Sequence, residues 1–202
     1  MAGPARADRG TASRLFVSLD PPPAARRAAA EWGRTVARGV PGLRPVRPEA
    51  IHLTLAFLGS MPAEGIENLV DAIESVARPV PALETGAPVW LPKRRPRALA
   101  LGLDERTGIL DALRADLVRE IGRKTGWEPD RATFLPHLTV ARAGRSFRTA
   151  GKSPGAAPGL RFDPCSITLF RSLLEPSGAR YEPLFVLPLP SSVAEEDGPG
   201  DA

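Results

Sequence analysis

The sequence predicts an α+β domain of two lobes produced by internal duplication, on three observations. Strand-like and helix-like stretches alternate along most of its 202 residues. The chain has two histidines, His52 and His137, and both stand in the tripeptide His-Leu-Thr. Each copy follows a strand and a helix in a similar neighbourhood, as two descendants of one unit would. A hydrophobic content of 43% is ample for the shared interior of such a domain.

The elements follow in order. "RLFVSLD" (residues 14–20) has the apolar content of a strand, and "PPPAARRAAAEWGRTVARG" opens on prolines that suit a helix start and runs Ala-rich to Gly39. "AIHLTLAFLG" is a second strand, closed by Gly59. After Pro62, Ile66, Leu69, Val70, Ile73 and Val76 recur with a 3.6-residue period, predicting a helix to about Ala77. "ALETGAPVWL" and "RALALGL" predict strands on either side of the loop "PKRRP", which is too basic and proline-rich to be buried. "ILDALRADLVREIGRKTG" is the best helix in the chain. It carries Ile109, Leu110, Leu113, Leu117, Val118 and Ile121 on one face, and Gly126 is placed to stop it. "PHLTVAR", "RFDPCSITLFRSLL" and "RYEPLFVLPL" follow as strands, with "AGKSPGAAPG" as a loop.

Residues 1–13 and 191–202 are small, polar and rich in Gly and Pro, which predicts flexible tails around a single bilobal domain of residues 14–190. The C-terminal stretch holds Glu195, Glu196, Asp197 and Asp201. With those four charges set aside, the overall +4 becomes +8, a balance that favours an anionic partner. No apolar run approaches a membrane span, the first residues lack the apolar segment of a signal peptide, and the lone Cys165 cannot form an internal disulfide. A cytoplasmic monomer without a cofactor is expected.

Side chains alternate across a strand, so His52 and Thr54 share one face while Leu53 and Leu55 anchor the other; His137 and Thr139 stand in the same relation to Leu138 and Val140. If the lobes bring these faces together, a cleft forms with two imidazoles and two hydroxyls. At neutral pH one imidazole can accept a proton while another donates one. That suits displacement of an oxygen at phosphorus, with the threonines donating hydrogen bonds to phosphoryl oxygens and Arg142 supplying fixed positive charge. A lone histidine on a half-apolar strand is commonly structural; the matched pair makes catalysis the better reading. Metal binding fits poorly. The histidines are far apart in sequence and their nearest acids are Glu49 and Asp130, whereas a metal site wants three or four protein ligands at short spacings.

The paired motifs "HLTLAFLG" and "PHLTVAR" resemble those of the two-histidine phosphoesterase superfamily, in particular its LigT-like branch of RNA 2′,3′-cyclic phosphodiesterases, also called 2′-5′ RNA ligases. "RLFVSLD", "RRPRALALGL", "RATFLPHLTVAR" and "LFRSLLEPSGARYEPLFVL" fall in the expected order, so the resemblance covers about residues 14–189. It implies antiparallel sheets lining a central groove with helices outside, and hydrolysis of a 2′,3′-cyclic phosphate to a 2′-phosphomonoester. It makes His52 and His137 the acid–base pair, with His52 assigned as acid and His137 as base, and makes Thr54, Thr139 and Arg142 the phosphate contacts.

Phe134 matches an aromatic near the groove. "PVWLPKRRPR" departs from the family's Gly-x-Phe segment, which leaves Trp90 as the candidate base-stacking residue. Lys93, Arg94 and Arg95 are candidate contacts to an RNA backbone. Reversible 2′-5′ ligation and hydrolysis of ADP-ribose cyclic phosphate would use the same residues, and a non-catalytic RNA-binding module is the alternative of another class.

Overall fold

A computed structural model describes residues 13–104, 107–130, 133–144, 147–148, 154–175 and 178–190. The expected tails lie outside the described residues, except that Ser13 already belongs to the first strand. The elements are β1 (Ser13–Asp20), α1 (Pro23–Gly39), β2 (Leu43–Pro45), β3 (Leu53–Met61), α2 (Ile66–Val76), β4 (Leu83–Leu91), β5 (Ala98–Asp104), α3 (Ile109–Thr125), β6 (His137–Ala143), β7 (Arg161–Phe162), β8 (Ser166–Glu175) and β9 (Gly178–Pro188). Among the described residues no helix is long and apolar enough to cross a membrane.

The strands form two antiparallel sheets, one ordered β3-β1-β8-β9 and the other β2-β6-β5-β4-β7. The repeat unit is legible in them: β1 and β3 are antiparallel neighbours joined through α1, and β5 and β6 are antiparallel neighbours joined through α3. The halves do not each fold into their own lobe, however. β8 and β9, from the end of the chain, complete the sheet of β1 and β3, while β2, from the first half, edges the sheet of β5 and β6. The helices cross over as well. α1 packs on β2 and β6, and α3 packs on α2 and β3. Each HLT strand is thus backed by the helix of the other repeat, which ties the lobes together through one continuous apolar core.

Local differences from the sequence reading have plain causes. The strand ending at Gly59 continues to Met61, because Gly59 (φ +71°) sits in a bulge where Leu15 and Phe16 pair with Gly59 and Phe57, leaving Leu58 unpaired. Its beginning is trimmed: residues Pro48–Ala50 form a single 3-10 turn and the strand opens at Leu53. "RFDPCSITLFRSLL" is two strands rather than one. Pro164 lacks an N–H for the ladder, and the chain there crosses from β7 in one sheet to β8 in the other. At the bottom of β1, the buried Asp20 accepts hydrogen bonds from Ser18 (2.8 Å), Ser166 (3.2 Å) and Thr168 (2.6 Å), which fixes β8 against β1 without leaving a buried carboxylate unpaired.

Candidate active site

A cleft of about 390 Å³ opens between the two sheets, and His52, Thr54, His137, Thr139 and Arg142 all line it. The two HLT segments are built alike. His52 immediately precedes β3 and His137 opens β6, while Leu53 and Leu138, next along, are buried in the core. In each motif the histidine ring bonds the backbone carbonyl two residues upstream, Ala50 for His52 and Leu135 for His137 (2.6 Å). A carbonyl only accepts, so the ring nitrogen it meets carries the proton; for His137 this is Nδ1, which leaves Nε2 with its lone pair in the neutral ring. Neither threonine hydroxyl bonds another described residue, so both are free for a ligand.

Strict alternation from Thr139 would turn Arg142, three residues on, to the opposite face of β6. A bulge brings it into the cleft. Between Ala100 and Leu99 on β5 the partners jump from Thr139 to Ala141, so Val140 is the extra residue. β3 carries the same irregularity: Ser18 pairs with Thr54 but Val17 with Ala56, which makes Leu55 the extra residue. Its consequence is the same, since Phe57 stands three residues beyond Thr54 and lines the cleft while remaining 69% exposed. The bulge carbonyls are both satisfied from outside the strand. Val46 N–H donates to Val140 O (2.8 Å), and Arg114 Nε on α3 donates to Leu55 O (3.1 Å).

His52 rests in an aromatic nest that the sequence reading missed. Phe16 stacks on its ring (centroids 4.8 Å apart, planes at 29°), and Tyr181 meets it edge-on at 5.2 Å. Tyr181 also accepts a hydrogen bond from Arg142 (3.3 Å), joining β9 to β6 across the cleft. Burial among these rings, then the positive charge of Arg142, lower the His52 pKa to about 4, against the opposing effect of the Ala50 carbonyl; His137 adds a smaller push in the same direction. His52 is therefore neutral at pH 7.

Two candidates lie elsewhere. Trp90 is not among the cleft-lining residues although its neighbour Leu91 is; Trp90 packs against Phe147 at 5.4 Å and the core, on the other face of β4. Phe134 likewise does not line the cleft, and packs under the guanidinium of Arg114 at 5.0 Å, the same side chain that holds the β3 bulge. Lys93, Arg94 and Arg95 are exposed on a loop whose flanking residues, Leu91 and Ala98, both line the cleft, so the loop stands at its rim. Phe57 had a signal in the sequence, since its spacing from the first HLT equals that of Arg142 from the second. Phe16 and Tyr181 had none. Among the described residues, no group of three or more His, Cys, Asp or Glu is placed to hold a metal ion.

Comparison with known proteins agrees with this architecture. Residues 19–99 match the family described as LigT like Phosphoesterase. The RNA 2′,3′-cyclic phosphodiesterase of Thermus thermophilus is 30% identical over 200 residues, covering 93% of this chain and 97% of that protein. One of the same description from Geobacillus stearothermophilus is 28% identical over 88% of this chain, which spans 57% of that longer protein. The crystal structure of Escherichia coli LigT complexed with 3′-AMP superposes with a TM-score of 0.68 at 27% identity, covering 88% of this chain and 98% of that one. Two HLT strands facing one cleft, and a full-length relative at this identity, establish that the chain belongs to the LigT-like two-histidine phosphoesterase family.

Proposed function

We propose that the chain hydrolyses 2′,3′-cyclic phosphate ends of RNA to 2′-phosphomonoesters by metal-independent acid–base catalysis. The observation that carries this is the meeting in one cleft of two imidazoles, each bonded to the backbone two residues upstream, Arg142 and two threonine hydroxyls without a partner among the described residues. In this reading His137 Nε2 takes a proton from water as the water oxygen bonds to phosphorus; the bond from phosphorus to the 3′ oxygen breaks, and His52 protonates the departing oxygen. Thr54, Thr139 and Arg142 hold the phosphoryl oxygens as charge builds on them. Phe57, an exposed ring in the cleft, supplies the base-stacking surface in place of Trp90.

The names of the relatives support the substrate class, and the requirement for a 2′ oxygen restricts the reaction to RNA. Incubation with a 2′,3′-cyclic mononucleotide in EDTA tests the proposal, with the product resolved against authentic 2′- and 3′-phosphates. Turnover to the 2′-phosphate is expected. A dominant 3′-phosphate, or activity that returns only with a divalent ion, overturns it.

The low pKa of His52 makes its charged form a strong proton donor that is scarce in the free protein, and an anionic phosphate beside it draws the proton in. The kcat/KM profile is expected to be bell-shaped with its acid-side limb near pH 4, and the corresponding limb of kcat is expected at higher pH. Arg142→Gln removes a positive neighbour that depresses His52, so the same limb should move to higher pH as the rate falls. A limb unmoved by this change would dissociate Arg142 from His52.

Neutralising Lys93, Arg94 and Arg95 together is expected to raise KM for an oligonucleotide and flatten its salt dependence, while a cyclic mononucleotide is turned over as before. Equal losses on both would place the loop inside the active site.

A further inference from the structure

Beside the catalytic cleft lies a second cavity of about 370 Å³, lined by Arg44, Arg47, Arg142, Ala50 and Tyr181 among others; the last three also line the cleft, so the two spaces are continuous. Arg44 on β2 is the direct cross-strand partner of Arg142 on β6. Like charges placed opposite each other on neighbouring strands repel. No carboxylate among the described residues forms an ion pair with Arg44, Arg47 or Arg142, and Glu49, the nearest acid in sequence, does not line the cavity. Four arginines of the surface helices, by contrast, are paired with neighbouring acids: Arg34 and Arg38 with Glu31, Arg119 with Asp116 and Arg123 with Glu120. Three arginines converge here with no carboxylate among the described residues to balance them.

We propose that this cavity is a second phosphate subsite, which holds the 5′-phosphate of the nucleotide whose cyclic phosphate lies between His52 and His137. The inference rests on the hydrolytic reading above and adds to it a recognition element on the far side of the ribose. Arg142 stands between the two spaces and touches both. Arg44 and Arg47 touch only the second, so they discriminate among substrates by what is attached at the 5′ oxygen. A guanidinium bonds phosphate through a planar fork of donors, which suits either a free 5′-phosphate or the phosphodiester that continues an RNA strand.

The test compares three substrates: cytidine 2′,3′-cyclic phosphate, the same compound with a 5′-phosphate, and the dinucleotide in which a phosphodiester occupies that position. The unaltered protein is expected to favour the second and third by about tenfold or more in kcat/KM, and an Arg44→Gln/Arg47→Gln variant to lose that preference with less than about twofold change on the first. Loss on the 5′-phosphate alone assigns the site to small nucleotides, and loss on the diester assigns it to RNA strands; either supports the subsite. Equal loss on all three substrates, or none on any, overturns it. A melting temperature unchanged from the parent protein shows that the variant is folded.

A calorimetric comparison of cytidine 3′,5′-bisphosphate with cytidine 3′-monophosphate separates this proposal from the hydrolytic one. A binding advantage of the bisphosphate that disappears in the variant sustains the subsite even if no cyclic phosphate is hydrolysed. The absence of that advantage in the unaltered protein sinks it.

Discussion

Replacing either His52 or His137 by alanine is expected to lower kcat/KM on a cyclic nucleotide by roughly 10²- to 10⁴-fold, the usual worth of one positioned acid or base, or about 3 to 5 kcal/mol of barrier. The structural side effects differ between the two. His137 makes its ring contact with the Leu135 carbonyl at the cleft surface, so its loss should leave the melting temperature nearly unchanged. His52 fills a space between Phe16 and Tyr181, and alanine there leaves those rings unsupported. His52→Gln, which keeps bulk and a donor without a titratable ring, isolates the chemical loss from the packing loss. A histidine variant that retains both its stability and its turnover would remove that residue from the mechanism.

Gly33→Ala is expected to damage both stability and turnover, although Gly33 lies in α1, outside the cleft. A Cβ at Gly33 would stand 2.6 Å from the Val140 carbonyl oxygen and 3.0 Å from Val140 Cβ. On an open helix surface, exchange of Gly for Ala stabilises by about 1 kcal/mol. Here the overlap is with backbone, which cannot swing aside, and overpacking of about 1 to 3 kcal/mol should outweigh that gain. Val140 is the bulged residue that brings Arg142 into the cleft, and its carbonyl already accepts from Val46. Relief by moving α1 or flattening the bulge therefore shifts Arg142, and kcat should fall with it. Gly39→Ala is the control, because a Cβ there meets nothing within 4 Å. If both variants melt and turn over like the parent, the helix does not set the bulge.

Much of this fold was open to inspection in the sequence because its signals are local. The periodicity of Leu110, Leu113, Leu117 and Ile121 gives α3 and its buried face, and the HLT pair identifies the two strands that meet across the cleft. β2 escaped notice because a three-residue edge strand, Leu43–Pro45, has no pattern of its own and exists by pairing with β6. Trp90 was misplaced for a related reason. Alternation says that Trp90 and Leu91 face opposite ways, but which face of β4 meets the cleft is settled only when β5 and β6 are laid beside it. The interleaving of the lobes is non-local as well. Nothing within "SITLFRSLLE" or "GARYEPLFVLP" announces that these strands complete a sheet begun by β1 and β3. Arg142 was a candidate for its place three residues beyond Thr139 as well as by resemblance, while the physical device that puts it in the cleft is an unpaired residue visible only in the register of β6 against β5.

Two copies of one motif, left identical, would give a cleft indifferent to end-for-end reversal of its occupant, since either imidazole could meet either ester oxygen of a cyclic phosphate. The position three beyond each threonine breaks that equivalence, with an aromatic ring at Phe57 and a cation at Arg142. A molecule with a flat apolar end and an anionic end meets matching walls in one direction and mismatched walls in the other. The polarity of the cleft thus resides in the residues where the repeats have diverged, and the histidines inherit it. Under the proposed mechanism, side chains that transfer no proton, these two together with the rings of Phe16 and Tyr181 around His52, share in the choice of which ester bond breaks.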